Sequence, residues 1–255
     1  LIQGITEFLP ISSSGHLVLG KYILGVEVTS DIIFEVFVHF GTFIAIIAVF
    51  YRKVWGLIKS PFVSAAQKSP DENLKLVGIL LAATIPAGVI GILFDDAIEN
   101  AFNSVILVSC ALLVTGTILF ITRFIGEHSE SVGWRKGIII GIAQAFAIVP
   151  GISRSGSTIA TGLLQKIHKE EAAEFSFLLA LPAIGGATLL KTKELIEDFP
   201  GWQSFLPVII GTVVATISGY FAIIWLLKII KKGKFNYFAY YCWIVGIIGI
   251  VDYFV

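Results

Sequence analysis

The sequence predicts an all-α integral membrane protein: six transmembrane helices and two re-entrant helical segments, arranged as an inverted-topology repeat. Three observations predict it. Hydrophobic residues make up 56% of the 255-residue chain against 14% charged, and the mean hydropathy of +0.90 lies far outside the range of soluble domains. Apolar runs near the length needed to cross a bilayer recur along the chain, with no hydrophilic domain between them. Two of these runs are interrupted near their middles by proline, glycine and serine. At membrane depth an interrupted backbone is tolerated only where it is buried in protein or lines a wet cavity.

In chain order, the first interrupted run is 1–24, broken at Pro10 and the serines that follow. Full spans are expected at 32–51, 74–94 and 104–125. The second interrupted run, 137–165, breaks at Pro150-Gly151, and spans at 171–190, 205–230 and 235–255 complete the set. All belong to one membrane domain, 1–255, with repeat one at about 1–125 and repeat two at about 137–255. The chain opens at Leu1 inside an apolar segment and contains no methionine, so a helical half-segment is expected to precede it. Cys110 and Cys242 lie in apolar runs without metal-ligand spacing and read as small core residues.

Internal similarity carries the repeat. Ser12-Ser13-Ser14-Gly15 aligns with Ser153-Arg154-Ser155-Gly156 at a shift of 141 positions, which also places Phe34 on Phe175. Gly4-Ile5-Thr6-Glu7 resembles Gly141-Ile142-Ala143-Gln144, the surroundings of Thr84 resemble those of Thr216, and Phe102-Asn103 resembles Phe235-Asn236. Their common order argues for a duplicated unit.

Charge placement gives orientation. Formal net charge is zero, which removes any argument for a nucleic-acid partner. The loops with Arg52, Lys53, Lys59 and Lys68, with Arg123, Arg135 and Lys136, and with Lys228, Lys231, Lys232 and Lys234 are basic and are expected in the cytoplasm. The turns with Asp95, Asp96 and Glu99 and with Glu194, Glu197 and Asp198 are acidic and face outward. The first repeat then enters from outside and the second from inside, so that both polar breaks meet within the membrane.

Ionisable groups in the hydrocarbon region are costly unless paired or hydrated, so Glu7, His16 and Arg154 are candidate functional residues. Serines and glycines at a helix break supply hydroxyls and backbone N–H groups, and a helix start favours an anion. Arg154 adds a planar fork of donors suited to phosphate. Ser13 and His16 are three residues apart, which brings an imidazole toward a hydroxyl. Glu7 can orient that histidine, act as a base or hold a divalent cation. The chemistry indicated is phosphoryl transfer, with either Ser13 or His16 as nucleophile. By contrast His39, four residues after Glu35 on one helical face, reads as that glutamate's structural partner rather than as part of a site.

The stretches "QGITEFLPISSSGH" and "PGISRSGST" resemble the two signature motifs of the undecaprenyl-pyrophosphate phosphatases of the bacitracin-resistance type, and the resemblance extends over essentially the whole chain. It implies a multi-pass enzyme of the cytoplasmic membrane, its site facing the outer side, that removes the terminal phosphate of undecaprenyl pyrophosphate and regenerates the lipid carrier for cell-wall polymers. Position by position, it assigns the acidic motif to Gln3 and Glu7, the serine motif to Ser12, Ser13, Ser14 and His16, and the second motif to Gly151, Ser153, Arg154, Ser155 and Gly156. It favours Ser13 as nucleophile, with His16 as alternative or acid–base partner and Arg154 as phosphate clamp. It also implies a divalent cation, magnesium or calcium, with Glu7 as ligand; glutamine at position 3 weakens any two-carboxylate metal site. The partners implied are a polyprenyl pyrophosphate and membrane lipids, and a homodimer is left open. The rival from another class is a secondary transporter or polyprenyl-phosphate flippase, because inverted repeats with broken midplane helices are a transporter architecture.

Overall fold

A computed structural model of the chain describes residues 1–25, 32–67, 71–126, 128–197 and 202–254. Twelve α-helices occur among them: α1 (Ile2–Phe8), α2 (Ser13–Leu24), α3 (Ile32–Val49), α4 (Tyr51–Gln67), α5 (Glu72–Leu93), α6 (Asp95–Phe102), α7 (Val105–Ile121), α8 (Trp134–Phe146), α9 (Arg154–Leu164), α10 (Lys169–Glu197), α11 (Trp202–Lys231) and α12 (Phe238–Phe254). No β-strand is present among the described residues, only one isolated bridge between Glu130 and Ile167.

Among the described residues, four helical stretches are long and apolar enough to cross a membrane: Glu72–Leu93, Val105–Phe124, Leu206–Lys231 and Phe235–Phe254. Their outer faces are those of a multi-pass membrane protein. On α5, Leu81, Ile85, Val89 and Ile92 are all exposed, a stripe at helical spacing suited to an apolar surrounding such as lipid.

The expected span at 32–51 differs. The stretch Val36–Val49 turns through 88° into Tyr51–Ala65, the geometry of a broken span or a re-entrant loop rather than of one straight crossing, and the expected basic loop is a helix. The bend coincides with Arg52 and Lys53, whose charges are expensive in hydrocarbon and favour a helix lying along the surface. Lys59 sits over the Trp55 ring at 4.8 Å, a pairing suited to that interface. Expected span 171–190 falls within α10, a single helix of 29 residues whose first turns carry Lys169, Glu170, Glu171 and Glu174. The acidic turn at 95–99 forms α6. The side chains of Glu35, Lys68, Glu194, Glu197 and Asp198 lie outside the described residues. Of the cysteines, Cys242 is buried as expected, whereas Cys110 is exposed.

Both interrupted runs break where proline cannot continue the amide ladder. Helix α1 ends at Phe8, capped by Leu9 just before Pro10, and Ser12 takes a left-handed φ of 66° before α2 begins. Helix α8 ends at Phe146, capped by Ala147, and Gly151 turns the chain with φ 95°. A Cβ on Gly151 would lie 2.7 Å from the Ala111 Cβ of α7, so position 151 needs glycine for both conformation and space.

The breaks are pinned by the helices around them. Thr115 on α7 donates to the Gly151 carbonyl at 2.9 Å and accepts from the Ser153 amide at 3.1 Å. The thiol of Cys242 on α12 lies 3.5 Å from the Pro10 carbonyl, and Ser155 donates to the Leu9 carbonyl at 3.2 Å. The two polar islands are thereby held against one another. Phe8, Leu9 and Ile11 belong to the main core with Ile46, Phe177 and Ile223, and the Phe8 and Phe177 rings meet edge to face at 5.7 Å. The first break is therefore set by apolar packing on α3, α10 and α11, not by the polar residues alone.

Candidate active site

Helices α2 and α9 begin in the same way. Ser12 caps α2 by accepting from the Gly15 amide at 3.2 Å, and Ser153 caps α9 by accepting from the Gly156 amide at 3.1 Å. Each cap also touches the serine two residues on, Ser14 at 3.1 Å and Ser155 at 3.3 Å. The cap serine satisfies one first-turn amide, and a helix start leaves others without intrahelical partners, a favourable setting for an anion. Ser13 and Arg154 are thus the first residues of their helices.

Glu7, near the end of α1, joins them. Its Oε1 accepts from Nη2 of Arg154. Its Oε2 accepts from the Ser13 hydroxyl at 2.7 Å and from the Gln3 amide at 2.9 Å, one turn back on α1. The carboxylate is 7% exposed and the arginine side chain 20%. Burial of the carboxylate at this level requires such pairing.

His39 of α3 belongs to this cluster, although it read in the sequence as outside any site; its expected pairing with Glu35 falls on a side chain outside the described residues. Its Nε2 lies 2.9 Å from the Gln3 Nε2 and 3.8 Å from the Glu7 Oε2. An amide nitrogen only donates, so the Gln3 contact is a hydrogen bond where the His39 Nε2 presents its lone pair. One histidine in an apolar run gives no sign of this; the contact arises because α1 and α3 pack together.

His16 goes elsewhere. Its Nδ1 lies 2.8 Å from the Ser12 carbonyl and its Nε2 lies 2.7 Å from the Tyr241 hydroxyl, and the two rings stack at 5.5 Å. With both ring nitrogens engaged, the expected approach of imidazole to the Ser13 hydroxyl is not made. Three residues along a helix brings side chains to neighbouring positions, but here the histidine is drawn back onto the turn that positions Ser12 and across to α12. Tyr241 carried no signal in the sequence.

Two chambers meet at the cluster. A small one of about 180 Å³ is lined by Ser12, Ser13, Ser14, Ser153 and Arg154 among others. A larger one of about 510 Å³ is bordered by Val36, Ala87, Ala183 and Ile184 together with Gln144. Glu7, His39, Ala147, Ile148 and Arg154 line both. Gln144, which the repeat places opposite Glu7, is a further residue of this region, detectable from that alignment.

The donor set does not fit a resident divalent cation. Glu7 is its carboxylate, and both oxygens are already bonded to Arg154, Ser13 and Gln3. No group of three or more histidine, cysteine, aspartate or glutamate side chains suited to a metal occurs among the described residues. Magnesium and calcium seek several hard oxygen ligands, which one carboxylate already bonded to Arg154, Ser13 and Gln3 does not supply.

Lipid-facing helices around a buried carboxylate that joins a serine hydroxyl and a guanidinium define a multi-pass membrane protein with a charged cluster inside its helix bundle. Comparison with known proteins specifies it further. The family described as bacitracin resistance protein BacA matches residues 1–248, and the chain belongs to that family. It is 46% identical over 242 residues to the undecaprenyl-diphosphatase of Halothermothrix orenii, covering 94% of this chain and 90% of that protein. It is 42% identical over 247 residues to the protein of the same name from Salinibacter ruber, at 94% and 91% coverage. The undecaprenyl-diphosphatase of Methanobrevibacter smithii is 41% identical over 254 residues, at 94% and 90%.

Proposed function

We propose that this chain hydrolyses undecaprenyl pyrophosphate to undecaprenyl phosphate and inorganic phosphate, with Ser13 as nucleophile, Glu7 as base and Arg154 as phosphate clamp. The observation that carries the assignment is the 2.7 Å hydrogen bond from the Ser13 hydroxyl to a carboxylate whose other oxygen is held by Arg154. That is the nucleophile–base–orienter arrangement of an activated hydroxyl.

In the first half-reaction the Ser13 Oγ attacks the terminal phosphorus. The new Oγ–P bond forms as the bridging P–O bond breaks, and the serine proton passes to Glu7 and on to the departing polyprenyl phosphate. Water then attacks the phosphoserine, its proton going to Glu7. The Oγ–P bond breaks, and Ser13 recovers the proton from Glu7. Arg154 and the amides at the starts of α2 and α9 stabilise the phosphoryl oxygens throughout. His16 acts at a distance in this scheme, by holding the carbonyl of Ser12.

The repeat supports an inverted-topology reading, because α1 packs on α11 as α8 packs on α5. Gly4 abuts the Ala215 carbonyl and Gly141 abuts Ala83, equivalent pairs in the alignment. With the basic loops in the cytoplasm, the site opens on the outer side of the cytoplasmic membrane, in keeping with carrier recycling for cell-wall synthesis.

The test is phosphate release from a polyprenyl pyrophosphate by the purified protein, compared with Ser13→Ala. Release that vanishes in a folded Ser13→Ala variant is the expected result. Full release by that variant removes Ser13 as nucleophile, and none from the wild type removes the hydrolase reading.

A further inference from the structure

The larger chamber contains a side chain that the hydrolysis scheme leaves without a task. Gln144 is 4% exposed, and neither its Oε1 nor its Nε2 has a hydrogen-bond partner among the described residues. Buried amides are ordinarily satisfied, and one that is not calls for a ligand or a role. Two threonines of the same chamber need no ligand, since Thr84 donates to the Leu80 carbonyl at 2.8 Å and Thr188 to the Ile184 carbonyl at 2.9 Å.

Its position indicates the ligand. Gln144 lines the larger, mostly apolar chamber but not the small serine-lined one, and the two join at Glu7, His39 and Arg154. Resting on the hydrolysis reading above, a terminal phosphate at Ser13 occupies the small chamber. The next group along the substrate is the phosphate esterified to the lipid, followed by the apolar tail. From the join, that sequence of groups leads past Gln144 into apolar walls. The amide N–H is a donor for a phosphate oxygen at the boundary where charge gives way to hydrocarbon.

We infer that Gln144 is a substrate-binding residue that hydrogen-bonds the lipid-proximal phosphate, the one retained on the product. It reads the monophosphate ester of an apolar alcohol, whereas the serine chamber reads the phosphate that is released. The site is then divided into two phosphate positions with separate protein partners.

The two products separate these positions experimentally. Farnesyl phosphate carries the proximal phosphate and tail; inorganic phosphate carries neither. Binding of each is measured by calorimetry on the purified protein in detergent, for the wild type, Gln144→Leu and Gln144→Glu, with phosphate release from farnesyl pyrophosphate followed in parallel. The expected result is that Gln144→Leu weakens farnesyl phosphate by about 10- to 100-fold, the worth of one hydrogen bond to a charged group, and leaves inorganic phosphate within about 2-fold, well under that worth. Gln144→Glu, of the same size, weakens farnesyl phosphate further by charge repulsion, and it serves in place of the leucine variant should that fail to fold. Unchanged farnesyl phosphate affinity, or equal losses for both ligands, overturns the assignment. A wild type that binds farnesyl phosphate through Gln144 but releases no phosphate sinks the hydrolysis reading and leaves this one standing.

Discussion

Ser13 and Arg154 occupy equivalent first positions of two helices, each behind a serine cap, and both hydrogen-bond the same carboxylate, Glu7. The two helix starts read Ser-Ser-Ser-Gly and Ser-Arg-Ser-Gly, and that one difference gives one start a hydroxyl and the other a guanidinium. Ser13 and Arg154, the proposed nucleophile and clamp, are therefore fixed relative to one another by the packing of the two breaks.

Ser13 and Glu7 act as one unit in this geometry, so their losses should not multiply. Ser13→Ala and Glu7→Gln are each expected to lower kcat by about 10³-fold or more, and the double variant by no more than the worse single. Steady-state phosphate release on all three checks this. A product of the two single effects in the double variant contradicts the coupling.

The ion pair has a stability consequence. Removing one partner of a buried pair leaves an uncompensated charge, a cost of about 3–5 kcal/mol. Arg154→Ala is therefore expected to unfold at lower temperature than Arg154→Ala combined with Glu7→Gln, although it carries fewer changes. Thermal unfolding in detergent gives the order directly. Equal melting temperatures would mean that Glu7 finds another partner.

Much of this site was legible in the sequence because its chemistry is local. Serine caps, a proline break and an arginine between serines lie within a few residues of one another, and pairing the two islands places Glu7 beside Arg154. What was missed comes from packing between distant segments. His39 reaches Glu7 because α3 lies against α1, and Tyr241 reaches His16 from the other end of the chain. The bend after Val49 escaped for another reason: an apolar run gives its length but not its direction, and only the charges after it mark where it leaves the bilayer. Gln144 is an intermediate case, identified by the repeat as Glu7's counterpart but given meaning only by the chamber it lines.

Close helix contacts support the site from a distance. A Cβ at Gly141 would lie 2.7 Å from the Ala83 Cα and 2.8 Å from its carbonyl carbon, backbone atoms that cannot move aside singly. Gly141→Ala is expected to destabilise the protein by about 1–3 kcal/mol, as overpacking does, and to shift α8, which carries Gln144. A melting temperature at or above the wild type's would show that α5 and α8 separate without cost.

His16 should behave as a positioning residue. Its Nδ1 bonds the Ser12 carbonyl at 2.8 Å, and Ser12 holds a left-handed φ of 66° that a non-glycine residue does not adopt freely. His16→Ala is expected to lower kcat by about 10- to 100-fold through misplacement of the turn, with KM little changed. Tyr241→Phe, which removes only the Nε2 partner, should reproduce a smaller part of the same loss. Complete inactivity in His16→Ala alongside a silent Tyr241→Phe would restore the histidine to a direct chemical role.

The commitment of both Glu7 oxygens bears on cations. Titrating substrate-free protein with magnesium or calcium should reveal no stoichiometric site, because the carboxylate would have to exchange Arg154 and Ser13 for the ion, and no metal-suited group of acids stands beside it among the described residues. Any cation requirement of the reaction should instead follow the pyrophosphate concentration, as it does when an ion is held mainly by substrate oxygens. Calorimetry with and without farnesyl pyrophosphate on the Ser13→Ala variant, which binds without turning over, distinguishes the two. Tight binding to the substrate-free protein, lost in Glu7→Gln, would show that the carboxylate releases Arg154 to take a metal, and would make the observed ion pair the metal-free resting state of the site.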